Sequence, residues 1–141
     1  MSTSIRVRDI MTSPAPFVLA STPLGEAVET LLKHQLMGLP VVDDNRTVIG
    51  FVSEQDCIHA MLVSSYHCEG APNVHDVMRH EILAVDPERN IVDLAQEMGH
   101  NKPKSYPVLD DGKLVGLITR SAILAALWEN RATCDAPARQ A

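Results

Sequence analysis

Apolar and polar positions follow two rhythms along this chain, and both rhythms occur twice. Phe17-Val18-Leu19 and Ile82-Leu83-Ala84-Val85 are short apolar runs of strand length. Behind each, apolar residues recur every three or four positions: Leu24, Val28, Leu31 and Leu32, then Ile91, Leu94, Ala95 and Met98. That spacing draws one stripe along one face and predicts an amphipathic helix in each copy. Thr22-Pro23 and Asp86-Pro87 have the form of helix starts, a capping side chain followed by proline at the first helical position. Two further strands are predicted in each copy. Asp43-Asp44-Asn45-Arg46 joins the first pair and Asp110-Asp111-Gly112 the second, both readable as hairpin turns. A closing helix is expected to bury Ile58, Met61 and Leu62 in one copy, and Ile123, Leu124, Leu127 and Trp128 in the other.

The correspondence goes beyond rhythm. Val7-Arg8-Asp9-Ile10-Met11-Thr12 returns as Val74-His75-Asp76-Val77-Met78-Arg79, and Leu39-Pro40-Val41-Val42-Asp43-Asp44 returns as Tyr106-Pro107-Val108-Leu109-Asp110-Asp111. Val48-Ile49-Gly50-Phe51-Val52-Ser53 returns as Leu114-Val115-Gly116-Leu117-Ile118-Thr119. Val7 to Val74 and Pro40 to Pro107 are both 67 residues, and Gly50 to Gly116 is 66. The chain therefore contains one β-α-β-β-α unit written twice. A unit of about sixty residues has a thin core and is marginal alone. The two copies are expected to pack sheet to sheet about a pseudo-twofold axis, an α+β fold. The reading places the first repeat at 5–64, a connector at 65–73, the second repeat at 74–130 and a mobile tail at 131–141.

Charge narrows the partners. Twelve Lys and Arg against eighteen Asp and Glu give a net charge of −6, which argues against a nucleic-acid partner but spares small phosphorylated ligands. No apolar run approaches the ~20 residues that span a bilayer, and the first residues do not lead into a signal peptide. Cys57, Cys68 and Cys134 are odd in number and irregular in spacing, which argues against a disulfide framework. A cytoplasmic protein with no membrane partner is expected. No activated nucleophile, glycine-rich phosphate loop or H-E-x-x-H pattern is present, so no enzyme is expected. His67-Cys68 with His59 or His75 is a local cluster without zinc-site spacing, and no metal is expected there. Asp43, Asp44, Asp110 and Asp111 at the hairpin tips leave divalent-cation sensing open.

The three recurring blocks resemble those of tandem cystathionine-β-synthase (CBS) domains, over roughly residues 5–130. The resemblance implies a stand-alone regulatory pair that binds an adenosine compound between its repeats: AMP, ADP, ATP or S-adenosylmethionine. Such a ligand is regulatory and not a required cofactor, and magnesium is compatible with a nucleotide. The family's nucleotide signature is complete in Gly50-Phe51-Val52-Ser53-Glu54-Gln55-Asp56. Ser53, at a helix start, suits a phosphate, and Asp56 can accept the ribose hydroxyls. Gly38, Leu39 and Pro40 would lie against adenine, and Met11, Thr12, Phe17, Val18 and Leu19 would close the other wall. The resemblance also implies a homodimer, with the helices ending at Met61-Leu62 and Leu127-Trp128 as its surface, and signalling to a separate effector protein.

The second copy departs from the signature. Gly116-Leu117-Ile118-Thr119-Arg120-Ser121-Ala122 has alanine at the carboxylate position. Pro87 to Pro107 is 20 residues where Pro23 to Pro40 is 17, which places extra length around 99–104. Lys102, Lys104 and Arg120 would supply positive charge at this second site, with Thr119 at its helix start. Phe51 and Tyr106 are candidate walls for a purine ring as well as core residues. Each reading has a structural rival. Ser53-x-x-Asp56 is also a capping box, Thr119 caps a helix without any ligand, and Lys102 and Lys104 suit a solvated turn. The alternative to a sensor is a ligand-free dimerisation scaffold with vestigial sites.

Overall fold

The computed structural model describes residues 4–63, 72–99 and 104–131. Most of the expected connector and tail lies outside the described residues, as do His67, Cys68, Lys102 and Cys134. In chain order the elements are α1 (Val7–Ile10), β1 (Val18–Leu19), α2 (Leu24–His34), β2 (Gly38–Val42), β3 (Val48–Ser53) and α3 (Glu54–Val63). They are followed by α4 (Val74–Val77), α5 (Ile91–Met98), β4 (Ser105–Asp110), β5 (Lys113–Thr119) and α6 (Arg120–Glu129).

The turn residues decide both hairpins. Between β4 and β5, Asp111 and Gly112 take φ of 57° and 81°, the left-handed pair that a two-residue hairpin turn requires. Between β2 and β3, Arg46 takes φ 68°, and the Asp43 carboxylate accepts the backbone N–H groups of Asn45 and Thr47 at 2.8 and 3.0 Å. β2 pairs antiparallel with β3, and β1 runs parallel to β2 at its far end, Val18 beside Val41 and Leu19 beside Val42. The second repeat matches this with a parallel bridge from Val85 to Val108. β2 and β4 meet where the repeats pack, and the hairpin tips are joined by a Thr47–Lys113 bridge and by Lys113 Nζ donating to Asn45 O at 3.1 Å.

The opening blocks are exchanged. Val7 and Arg8 N–H donate to Arg89 O and Pro87 O in the second repeat, both at 2.9 Å, and Thr12 forms a bridge with Leu117 of β5. In mirror fashion Val74 and His75 N–H donate to Thr22 O and Ala20 O of the first repeat, and Arg79 forms a bridge with Phe51 of β3. The cores follow this exchange. Val74 and Met78 are buried with Leu24, Leu31, Leu39, Val52 and Cys57, whereas Val7 is buried with Ile91, Leu94, Tyr106, Val108 and Ile118. Each fully buried valine stabilises the fold by about 1.5–3 kcal/mol, so each repeat owes part of its core to a residue from the other.

Three sequence expectations need correction. α5 begins at Ile91, four residues beyond Pro87, because the Asn90 side chain accepts the N–H groups of Val92 and Asp93 at 2.7 and 3.3 Å. Asn90, not Pro87, is thus the counterpart of Pro23. Asn90 to Pro107 is the same 17 residues as Pro23 to Pro40; six residues separate α5 from β4 where three separate α2 from β2, and 100–103 lie outside the described residues. Second, the closing helices bury only Ile123 of the expected apolar set. Cys57 in α3, and Ile123 and Ala126 in α6, are buried; Ile58, Met61, Leu62, Leu124, Leu127 and Trp128 are exposed. These helices are apolar nearly all round, so periodicity does not distinguish the inner face. Third, Leu32 of α2 is exposed while Ala27 is buried.

Candidate functional site

A cleft of about 440 Å³ opens between the repeats, lined by Met37, Gly38, Phe51, Ser53, Glu54 and Gln55 on one side. Arg79, Glu81, Leu83, Lys104, Ser105 and Pro107 line the other. Its volume falls in the range of small-molecule sites. Strand alternation explains the first wall. Phe51 and Ser53 are two apart on one face of β3, while Val52 between them points into the core. Gly38 pairs with Ser53 across the hairpin. A Cβ on Gly38 would overlap the Phe51 ring, so the glycine lets the ring lie flat against the strand. The opposite wall comes from Ser105 and Pro107, again two apart on one strand, and from the chain that follows the bridge at Arg79.

At the cleft's polar end α3 begins. Asp56 N–H donates to Ser53 Oγ at 3.1 Å, and the Asp56 carboxylate accepts from Ser53 N–H and Ser53 Oγ at 3.0 and 2.9 Å. This is a reciprocal capping box, closed by aspartate in place of the more common glutamate. The other carboxylate oxygen takes the Arg79 guanidinium, Nε to Oδ1 at 3.0 Å. Asp56 is 13% exposed and Arg79 64%. Arg79 is held in place because its backbone exchanges both hydrogen bonds with Phe51, at 2.8 and 2.9 Å. Four charged side chains line the cleft, the cations of Arg79 and Lys104 and the carboxylates of Glu54 and Glu81. Behind the box the Cys57 thiol is pushed up to about 11, first by burial and then by the charges of Asp56 and Glu54.

The structure brings together only part of the expected set. Ser53 and Gly38 line the cleft, and Asp56 adjoins it through Ser53 and Arg79. Leu39 and Pro40 are buried in the fold. Met11 and Thr12 lie elsewhere: Met11 packs where a Cβ on Gly116 would be, and Thr12 is bridged to Leu117. Phe17, Val18 and Leu19 lie by the hairpin tip, with the Arg46 guanidinium 4.4 Å from the Phe17 ring centre. The wall beside Ser53 is built instead by the repeat counterparts of Met11 and Thr12, namely Met78 against Gly50 and Arg79 against Phe51. Lys104, expected at the second site, lines this first one. Tyr106 is buried in the core of its own repeat, where burial and the Glu97 charge raise its phenol above the usual value. In the second repeat Thr119 Oγ accepts Ala122 N–H at 3.1 Å, Arg120 N–H donates to Lys104 O at 2.9 Å, and Ala122 stands where the first repeat has Asp56. Arg79, Glu81, Leu83, Ser105 and Pro107 escaped the sequence reading. The repeat itself held a signal for Arg79, since it aligns with Thr12.

Among the described residues no group of three or more His, Cys, Asp or Glu is placed to hold a metal ion. Among them, too, no helix is long and apolar enough to cross a membrane.

Two repeated α+β units with exchanged opening segments and a cleft between their sheets define a paired-repeat binding fold. The chain belongs to the CBS domain family, whose model matches residues 7–63 and 74–129. The CBS domain-containing protein CBSX2, chloroplastic, of Arabidopsis thaliana is 31% identical over 82% of this chain and 60% of its own length. The Methanocaldococcus jannaschii protein MJ1225 is 29% identical over 86% of this chain and 42% of its own. The chain thus spans about half the length of these curated relatives. Among solved structures, CBSX2 in complex with AMP superposes with a TM-score of 0.76 at 33% identity, covering 88% of this chain and 96% of that one. A Vibrio cholerae protein assigned to acetoin utilization, AcuB, gives a TM-score of 0.80 at 27% identity, covering 90% and 93%.

Proposed function

We propose that this CBS pair is a sensor that binds an adenosine nucleotide in the cleft at Ser53 and reports it to a partner protein. The observation that carries this reading is the meeting of a helix start, a paired carboxylate and two cations from the other repeat around one 440 Å³ cleft. CBSX2, similar over most of the chain, has been solved with AMP. Two carboxylates balance two cations along the walls. That balance suits one phosphate better than three, so AMP ranks before ADP and ATP, which would need magnesium to offset their charge.

Asp56 is engaged by Ser53 and Arg79, so binding is an exchange. The phosphate takes the Arg79 guanidinium, a charge-assisted contact, and the released Asp56 oxygen accepts ribose hydroxyls. Arg79 is anchored to β3 and continues into the second repeat, so this exchange shifts one repeat against the other. A ligand changes that equilibrium only through its different affinity for the two arrangements.

Thermal unfolding with AMP, ADP, ATP and S-adenosylmethionine, each with and without magnesium, tests the reading. A nucleotide at one hundred times its Kd adds about 2.7 kcal/mol, a shift of a few degrees for a domain of this size. AMP should give that shift, and Asp56→Ala should remove it at a stability cost of about 0.5–2 kcal/mol from the lost cap. The capping box and the ion pair that engage both Asp56 oxygens favour a second reading, a ligand-free scaffold. A wild type indifferent to every nucleotide would establish it. In either case a second copy is proposed to cover the apolar face of α3 and α6, where Leu62 is 79% and Trp128 63% exposed. Sedimentation showing a monomer at micromolar concentration would exclude that dimer.

A further inference from the structure

Behind the cleft wall formed by β4, the second repeat holds a separate chamber of about 120 Å³. Strand alternation puts it on the reverse of β4: Ser105 and Pro107 line the cleft, and Tyr106 between them lines the chamber. Leu83 lines both. Val85, Leu94 and Met98 form its core side, each of them buried. The Arg89–Glu97 ion pair, Nη2 to Oε1 at 2.6 Å, stands on the solvent side, its side chains 37% and 59% exposed. Tyr106 is 5% exposed, and its hydroxyl makes no hydrogen bond among the described residues. A buried hydroxyl without a partner is costly, and native folds seldom keep one without a use. The Glu97 charge acts on this phenol, which sets the hydroxyl and the ion pair side by side.

Water alone suits the chamber poorly. An internal water needs two to four polar partners, and here Arg89 and Glu97 already hold each other while the remaining side chains, Tyr106 apart, are apolar. A molecule with an apolar body and one polar head matches this wall. Charge narrows the head: one cation and one carboxylate cancel, so a charged ligand would lose its hydration without a net electrostatic return. A neutral head that both donates and accepts can meet the phenol, a spare Arg89 N–H and the second Glu97 oxygen. An apolar cavity of ~150 Å³ takes benzene, so about five non-hydrogen atoms fit here. We propose that this chamber is a second binding site, for a short-chain uncharged amide or alcohol whose head is held by Tyr106, Arg89 and Glu97. It uses no residue of the Ser53 signature and stands or falls independently of the nucleotide reading.

Methyl NMR at Met98 tests it, with propionamide, 1-butanol and propionate as probes of equal size. Propionamide and 1-butanol should shift the Met98 methyl resonance at millimolar concentration, and propionate should not. Tyr106→Phe should weaken propionamide about five- to tenfold for one lost hydrogen bond. Its ligand-free melting temperature should equal or exceed that of the wild type, because the lost hydroxyl had no partner. Glu97→Gln leaves the Arg89 charge uncompensated and should turn the preference toward propionate. A Met98 resonance indifferent to both neutral probes would overturn the proposal and leave a chamber that holds water only. So would equal affinity of the wild type for propionate, or unchanged affinity in Tyr106→Phe. A lower melting temperature of Tyr106→Phe without ligand would show a hydroxyl already satisfied, and would overturn it as well.

Discussion

Asp56 shows how one carboxylate can close a helix start and hold a cation from the other repeat. Three donors converge on it, and only the Arg79 contact comes from outside its own helix start. Its neighbour Cys57 offers a direct check on the local electrostatics. The thiol is 3% exposed and its pKa is raised to about 11, while an unfolded cysteine titrates near 8.5. The folded state therefore keeps a proton that the unfolded chain loses. The contribution of this group is intact below about pH 8.5 and falls as pH rises toward 11, by about 1.4 kcal/mol per unit and roughly 3–4 kcal/mol in all. Urea unfolding of wild type and Cys57→Ala should show their stability difference shrinking across that window. A difference independent of pH would contradict the burial of the thiol. At this scale the Ser53–Asp56 spacing was legible, since local spacing writes a capping box directly. Ser105 was not, because a serine in a strand says nothing about burial until the facing sheet is known.

Elements obey their local chemistry where that chemistry is strong. Asp-Gly announced the β4–β5 turn, and the structure gives both residues the left-handed backbone it implies. Helix starts were less legible: Asp86-Pro87 has the right composition, yet Asn90 supplies the cap. Asp86 instead closes a tight turn, accepting Glu88 N–H at 2.7 Å. The closing helices were misread because an apolar surface on every side leaves the inner face to tertiary packing. Glycine marks the point where one element crosses another. A Cβ on Gly50 would lie 2.8 Å from Arg79 O and 2.5 Å from Met78 Sδ, and backbone cannot move aside as a side-chain tip can. Gly50→Ala should cost about 1–3 kcal/mol, the usual range for overpacking, measured as a lower urea midpoint. An unchanged midpoint would mean that the crossing is loose. The block containing Gly50 was plain in the sequence as a repeat. Its close contact was not, since the contacting segment lies about thirty residues away.

The whole molecule was legible as two copies and illegible as an exchange. Val7 and Val74 are apolar in either arrangement, so composition cannot tell whether an opening block packs on its own repeat or on the other. The backbone hydrogen bonds settle it, with Val7 on Arg89 and Val74 on Thr22. Separate fragments 1–63 and 72–141 should each be largely unfolded, because each lacks the segment that completes its core, and mixing them should restore the helical circular dichroism. A fragment that melts cooperatively alone would refute this. By covalent bookkeeping there is a single polypeptide; by its noncovalent contacts it is a heterodimer whose members are tied end to end. The tie between Val63 and Pro72 then contributes effective concentration, and the recognition between the halves lies in the exchanged segments. A CBS pair built this way can be assembled from two gene products without altering its cleft.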